Sequence, residues 1–264
     1  SEQLKYNFEY EKGFFDQKAQ ITENQKTLSS NEGIYYATIE KFDFYRNVIV
    51  ESPEEILRAD TLYYWLNSEY AEFKSNGSLE NNELHVKAKK GWVNQKEGKA
   101  LLSDEIEITD LENFYVLHAD SCFLFNEMTH STSYGNTLLT IPLNEDTLYL
   151  TADTLVHQGE SKDNLLQAYS NVSFKSSDML GHCDSLSFST NNEHVFLNKS
   201  PVIWLDEFQL TADTISLELN EKNIKQALLN KNSFISSKID SSSFNQISGE
   251  NMKAYFQKNE LSHI

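Results

Sequence analysis

The sequence is poor in the residues that usually punctuate a chain. Its 264 residues include 3 Pro, 9 Gly and 2 Cys. So little Gly and Pro excludes collagen-like and low-complexity architectures, and the turns must come from Asn, Asp, Ser and Glu. Two cysteines, Cys122 and Cys183, are too few for a disulfide scaffold, and their spacing fits no metal site. They are read as small core residues, with a single bridge left open for an oxidising compartment. Basic residues are also short, at 22 Lys+Arg against 40 Asp+Glu, a formal charge of -18. That balance supplies no basic footprint for nucleic acid or an anionic membrane, and reads as a solvated surface. No apolar run reaches the length of a membrane-spanning helix. Gly-x-Ser-x-Gly, His-Glu-x-x-His and Gly-rich phosphate loops are all missing. The start at Ser1-Glu2-Gln3 is read as that of a mature chain.

What the chain does have is aromatic side chains, 16 Phe and 13 Tyr, and a repeat. Six stretches share a pattern around Asp60, Asp104, Asp120, Asp153, Asp184 and Asp213, as in Leu150-Thr151-Ala152-Asp153-Thr154-Leu155 and Leu210-Thr211-Ala212-Asp213-Thr214-Ile215. The last three aspartates are 31 and 29 residues apart. Near-constant periods of this length mark a stacked architecture. Around each Asp the residues alternate. Leu186 and Phe188 oppose Ser185 and Ser187, and Ile215 and Leu217 oppose Ser216 and Glu218. Period two is the signature of a half-buried strand.

The parity changes inside the motif. Apolar residues stand three and one places before the Asp, but two and four places after it. A straight strand cannot bury both sets, so a β-bulge or corner is expected at the Asp-Thr/Ser pair. Ser75-Asn76-Gly77-Ser78, Asn94-Gln95-Lys96-Glu97-Gly98, Ser189-Thr190-Asn191-Asn192 and Asn230-Lys231-Asn232 are expected to be hairpin connections. Ile224 to Leu229 is read as strand. Glu127 to Asn144 is the least regular stretch.

Catalytic chemistry is not expected. An aspartate that recurs once per unit behaves as a scaffold residue, whereas a catalytic constellation occurs once. His182 and Asp184 share a strand face that excludes Cys183, so no metal site is expected there, nor any cofactor. Tyr63, Tyr64, Trp65, Phe123, Phe125 and Trp204 are either core filling or the lining of an apolar groove.

Several words in the C-terminal half are more specific: Ser177-Asp178-Met179, Cys183-Asp184-Ser185-Leu186, Pro201-Val202-Ile203-Trp204, Gln209 to Ile215, and Phe244-Asn245-Gln246-Ile247-Ser248-Gly249. Together they resemble the OstA-like family of Bacteroidota-type bacteria, relatives of the lipopolysaccharide-transport protein LptA and of the N-terminal domain of LptD. The resemblance is fullest over about 145–257 and rests on the Ala-Asp-Thr/Ser motif alone from about 30 to 145. It implies an all-β, elongated, slightly twisted antiparallel jelly roll spanning residues 1–264, as one domain or as two lobes with a seam near 127–144. It implies a non-catalytic periplasmic protein, associated with the outer membrane or not, that shields the acyl chains of lipopolysaccharide or a similar lipid. The groove candidates are Leu148, Leu155, Leu186, Phe188, Trp204, Ile215 and Leu217. The implied partners are the lipid and other transport proteins, joined by edge-strand pairing and head-to-tail assembly. The pattern is read as running on past Ile264, as in a piece of a longer protein. Two other readings stand beside it: an interaction scaffold with a filled core, and a carbohydrate-active jelly-roll or β-helix enzyme, which would need a pair of carboxylates in a cleft.

Overall fold

The computed structural model describes residues 5–23, 25–125, 129–143, 146–159, 164–189, 191–220, 223–240, 243–257 and 260–264. The chain is all-β, with one short 3-10 turn among the described residues, at Ala37–Ile39. It divides into two compact units, Ser1–Ser131 and Thr132–Ile264.

In the first unit the strands are β1 (Lys5–Asn7), β2 (Lys12–Phe15), β3 (Ala19–Glu23), β4 (Lys26–Ser30), β5 (Glu32–Tyr36), β6 (Lys41–Glu51), β7 (Glu55–Trp65), β8 (Tyr70–Asn81), β9 (Leu84–Asn94), β10 (Lys99–Asp110) and β11 (Val116–Phe125). From β6 to β11 each strand pairs antiparallel with the next. β4 and β5 pair with the two halves of β6, so together they act as one interrupted strand. β12 (His130–Pro142) crosses the boundary between the units.

The second unit continues with β13 (Thr147–Gln158), β14 (Leu165–Lys175), β15 (Met179–Ser189), β16 (His194–Asn198), β17 (Val202–Leu205), β18 (Phe208–Thr211), β19 (Thr214–Asn220), β20 (Asn223–Lys238), β21 (Phe244–Gln257) and β22 (Glu260–His263). β13, β14 and β15 pair in succession. β16 and β17 then share β15 between them, and β18 and β19 share β20. Each of these pairs is one long strand broken in the middle. Pro201 stands at the first break, where its missing N–H costs no ladder bond.

The corner forecast from the parity change is present, but the inserted residues lie mainly on the neighbouring strands. The register runs Tyr45↔Thr61 and then Val48↔Ala59, so Arg46 and Asn47 together face Asp60. Likewise Asp104 and Glu105 face Asp120, and Ser170 and Asn171 face Asp184. Every such pair is left-handed: φ is 58° and 53° at Arg46 and Asn47, 61° and 55° at Ser75 and Asn76, 61° and 55° at Ser170 and Asn171, and 59° and 50° at Lys231 and Asn232. Two successive left-handed residues form a local bulge and bend the strand. Hydrogen bonding resumes in shifted register beyond them.

Three expectations are corrected by this arrangement. Asp104 is not equivalent to the other motif aspartates, because it opens a left-handed pair (φ 65°) instead of facing one. Ser75–Ser78 and Asn230–Asn232 are not hairpin connections but bulges inside β8 and β20, because their left-handed residues turn the strand without ending its ladder. The stretch from Glu127 to Asn144 is mostly the regular strand β12, bent at Gly135 and Asn136; residues 127–128 and 144, at the ends of the expected seam, lie outside the described residues. Asn94–Gly98 does connect β9 to β10, and 224–229 is strand. Ser189–Asn192 connects β15 to β16, with Thr190 outside the described residues.

Candidate lipid groove

Each corner divides a strand into two arms that bury the same side of the sheet. On the strands that carry the single corner residue, inner side chains sit one place before it and two places after it: Ala59 and Leu62, Ala119 and Cys122, Ala152 and Leu155, Cys183 and Leu186, Ala212 and Ile215, all buried. The residue before the Asp is small because it lies on the inside of the bend, where the two arms come closest. On the strands with left-handed pairs, inner residues are four apart, as with Phe44 and Val48 or Leu102 and Ile106.

In the first unit the inner face has two different rows. In the arm that contains Leu62, register aligns Phe15, Gly33, Phe44, Leu62, Phe73, Gly91, Leu102 and Cys122 across the sheet. This row is sealed. The Phe73 ring covers both Gly77 and Gly91, where a Cβ would come within 2.0 and 2.7 Å of it. In the arm that contains Leu57, register aligns Ile21, Leu28, Val50, Leu57, Leu79, Val86, Ile108 and Leu117. Every one of these is only half-buried. At about 4.8 Å per strand the row runs for roughly 34 Å. Six of its members pack on the buried cluster built around Phe44, Leu62 and Phe73.

The second unit is packed more tightly near its corner. Leu155, Ala168, Leu186, Leu197, Ile215 and Leu229 align across β13 to β20, and none is more than 8% exposed. Of the groove candidates, Leu155, Leu186 and Ile215 belong to this row. Leu217 and Phe188 stand one step farther from the corner, with Leu217 buried and Phe188 half-buried. Leu148 is half-buried and shares the inner face with Leu150, two places on. Trp204 does not belong with them. It lies between buried Ile203 and Leu205, so strand alternation turns it to the outer face, where its ring meets His182 edge-on at 5.9 Å. Tyr63, Trp65, Phe123 and Phe125 are outward for the same reason, while Tyr64 is inward.

The corner aspartates are exposed or half-exposed and are tied to the next corner. Asn76 Nδ2 donates to Asp60 Oδ2 at 2.6 Å, Asn171 Nδ2 to Asp153 Oδ2 at 2.8 Å, and Asn232 Nδ2 to Asp213 Oδ1 at 3.0 Å. Lys199 Nζ reaches Asp184 at 2.7 Å. These are scaffold contacts at the rim of the bend.

One charged group is deeply set. Lys41 and Asp43 on β6 form an ion pair of 2.6 Å with side chains 18% and 7% exposed. The Lys41 ammonium lies 4.6 Å from the Tyr63 ring centre and 4.7 Å from that of Trp65. Burial, and then the Asp43 charge, push the Tyr45 hydroxyl up to about 12. Burial also pushes the Cys183 thiol up to about 12, aided by Asp184. Both cysteines are buried, and they are not joined in a disulfide. Among the described residues, no three His, Cys, Asp or Glu side chains are placed to hold a metal ion, and no helix is long and apolar enough to cross a membrane.

Comparison with known proteins adds three findings. The chain is similar to the crystal structure of LptH, the LptA homologous periplasmic component of the conserved lipopolysaccharide transport device from Pseudomonas aeruginosa. The match has 10% identity, covers 62% of this chain and 93% of that one, and has a TM-score of 0.25, too loose a likeness to carry an argument. No curated protein matches the chain. The model of the OstA-like protein family matches residues 1–60, ahead of the C-terminal words that carried the resemblance in the sequence. Residues 1–60 are thus similar to the family to which those words pointed.

Proposed function

We propose that this chain is a non-catalytic periplasmic protein of lipopolysaccharide transport, which shelters acyl chains against the inner face of its bent sheet. The observation that carries the reading is the half-buried apolar row from Ile21 to Leu117. It is uninterrupted by any polar side chain, runs for roughly 34 Å, and faces a sealed row across the bend. An acyl chain laid along it gains about 0.8 kcal/mol for each methylene removed from water. The OstA-like match at residues 1–60 supports the same assignment. In the second unit Leu148 and Phe188 are half-buried apolar positions of the same kind. Partner proteins of the transport device would add to free strand edges. Among the described residues β21 is paired on one side only from Phe244 to Ala254, which offers such an edge.

The test is photocrosslinking to lipopolysaccharide from Leu57, Val86 and Phe188, with outward Arg58 and Glu218 as controls. Crosslinks from the first three alone are expected. Equal crosslinking from Arg58 and Glu218 overturns the reading. The filled-scaffold reading has its own support in the second unit, where Leu197, Ile215 and Leu229 are fully buried. It predicts no crosslink from Phe188 or from Val86.

A further inference from the structure

A hydrogen bond joins opposite ends of the sheet in the first unit. Lys26 Nζ donates to Gln95 Oε1 at 3.2 Å, although the two residues are 69 apart in sequence. Lys26 opens β4, next to Thr27, which pairs with Glu51 at the far end of the Leu57 arm. Gln95 follows Asn94, which pairs with Tyr70 and Lys99 at the far end of the Leu62 arm. β9 alone has 11 residues, so a flat sheet would hold these two ends roughly 35 Å apart. They meet because the corners fold the arms toward each other and β4 reaches across from one arm tip to the other.

The crossing strands are lightly held. Among the described residues β3 pairs with β4 alone, and β4 pairs with the rest of the sheet only at Thr27, Leu28 and Ser29. β7, by contrast, is in register with both β6 and β8 along most of its length. A short ladder and an open edge put a segment at the low end of local stability. Lys26 and Gln95 are both exposed, so water replaces their bond with little loss. The inner side of the crossing is apolar. Ile21 on β3 and Leu28 on β4 stand opposite each other in register and pack on the cluster around Phe44, Leu62 and Phe73. The same two side chains begin the half-buried row that runs on to Leu117.

We infer that β3 and β4 form a strap over the acyl row, latched by Lys26 and Gln95, and that the strap lifts to admit a lipid chain from the side. The inference rests on the proposed function for the nature of the ligand. With the latch made, Ile21 and Leu28 close over the row. With it open, they lie against the methylenes of the lipid, so the strap keeps its apolar burial while its exposed bond is lost. A ligand shifts such an equilibrium only through contacts that differ between the two states, and these methylene contacts differ.

The experiment uses the full chain carrying Lys26→Cys and Gln95→Cys. Cys122 and Cys183 are buried, and the unsubstituted chain is the labelling blank. A short bismaleimide joins the two new thiols in the folded, lipid-free protein and locks the strap. Glu69→Cys with Gln95→Cys, whose backbones meet at 3.1 Å within one arm tip, is locked in the same way as a control. Purified lipopolysaccharide is then added, and uptake is read from the Val86 photocrosslink. The strap lock is expected to reduce that crosslink to the level of outward Arg58, and the control lock to leave it unchanged. Spin labels at positions 26 and 95 are expected to move apart when lipopolysaccharide binds. Failure of the lock to form in the lipid-free chain, an unchanged distance between the labels, or equal loss of uptake with the control lock overturns the inference. If the unlocked chain takes lipid and the locked chain takes as much, only the strap falls. If the unlocked chain takes none, the proposed function falls, and the strap with it.

Discussion

Asn171 provides a direct test of the corner. It is the second of two left-handed residues (φ 55°), and its amide donates to Asp153 on the adjacent strand at 2.8 Å. A left-handed conformation costs an ordinary L-residue about 1–2 kcal/mol, less for Asn and nothing sterically for Gly. Three substitutions therefore separate the backbone term from the hydrogen bond. Asn171→Gly keeps the conformation and loses one exposed bond, so it costs about 0.5 kcal/mol. Asn171→Ala loses the bond and takes on the strain, for about 1.5 kcal/mol. Asn171→Val adds β-branching at positive φ and costs about 2–3 kcal/mol. The assay is urea unfolding followed by emission from Trp204, which lies in the same unit. The order must be Gly, Ala, Val in falling stability. Valine as stable as glycine would refute the left-handed corner, whatever the absolute values. Adding Asp153→Ala to Asn171→Gly should cost little more than Asp153→Ala does through other contacts, because the shared bond is already gone.

Gly181→Ala places a methyl within 2.0 Å of the Phe174 ring, so it destabilises the second unit by about 1–3 kcal/mol in urea unfolding, and Phe174→Leu in the same chain recovers most of the loss. Lys41→Met leaves the 7%-exposed Asp43 without its counter-charge; about 3 kcal/mol is lost in urea, and Asp43→Asn restores much of it. Tyr45 has a folded pKa pushed up to about 12 from 10.0, so its contribution to stability is whole below pH 10 and is lost as pH rises from 10 to about 12. Burial also raises Tyr36, Tyr70 and Tyr115, so phenolate absorbance should show a late-ionising group of tyrosines in the native chain that loses one member in Tyr45→Phe; no change in the late phase on that substitution would count against the Asp43 pocket.

The fold was legible where period two was clean. Ile215 and Leu217 against Glu218, or Leu186 against Ser185, set the inner face without ambiguity, and the parity change at each Asp located the corners. What could not be read was which strand carries the extra residues. The motif with the repeated word is the passive side. The left-handed pairs opposite it have no shared word, only an Asn in the second place at Asn47, Asn76, Asn136, Asn171 and Asn232. Asn tolerates positive φ and also marks ordinary turns, so Ser75–Ser78 looked like a hairpin connection when it is a bulge. Asp104 misled in the same way, since Leu102 and Ile106 are four apart and a true corner aspartate separates inner residues by three.

The aromatic residues were misread for a related reason. Composition counts rings without saying which face they occupy, and both options weighed for Tyr63, Trp65, Phe123 and Phe125 assumed an inward direction. Alternation decides otherwise: Leu62 and Tyr64 are inward, so Tyr63 and Trp65 cannot be, and Cys122 and Leu124 force Phe123 and Phe125 out. The inner face is then dominated by leucine, isoleucine, valine and alanine, with Phe15, Phe73 and Phe174 lying over glycines and Tyr64 among them. That division has a physical consequence. Aliphatic side chains offer a conformationally soft surface with no hydrogen-bonding atoms, suited to methylene chains. Aromatic rings stacked on one another and flanked by ion-paired lysines make the opposite face, which meets water. A single strand such as β7 supplies both, through Leu57 on one side and Trp65 on the other, because the corner at Asp60 lets the chain change parity between them.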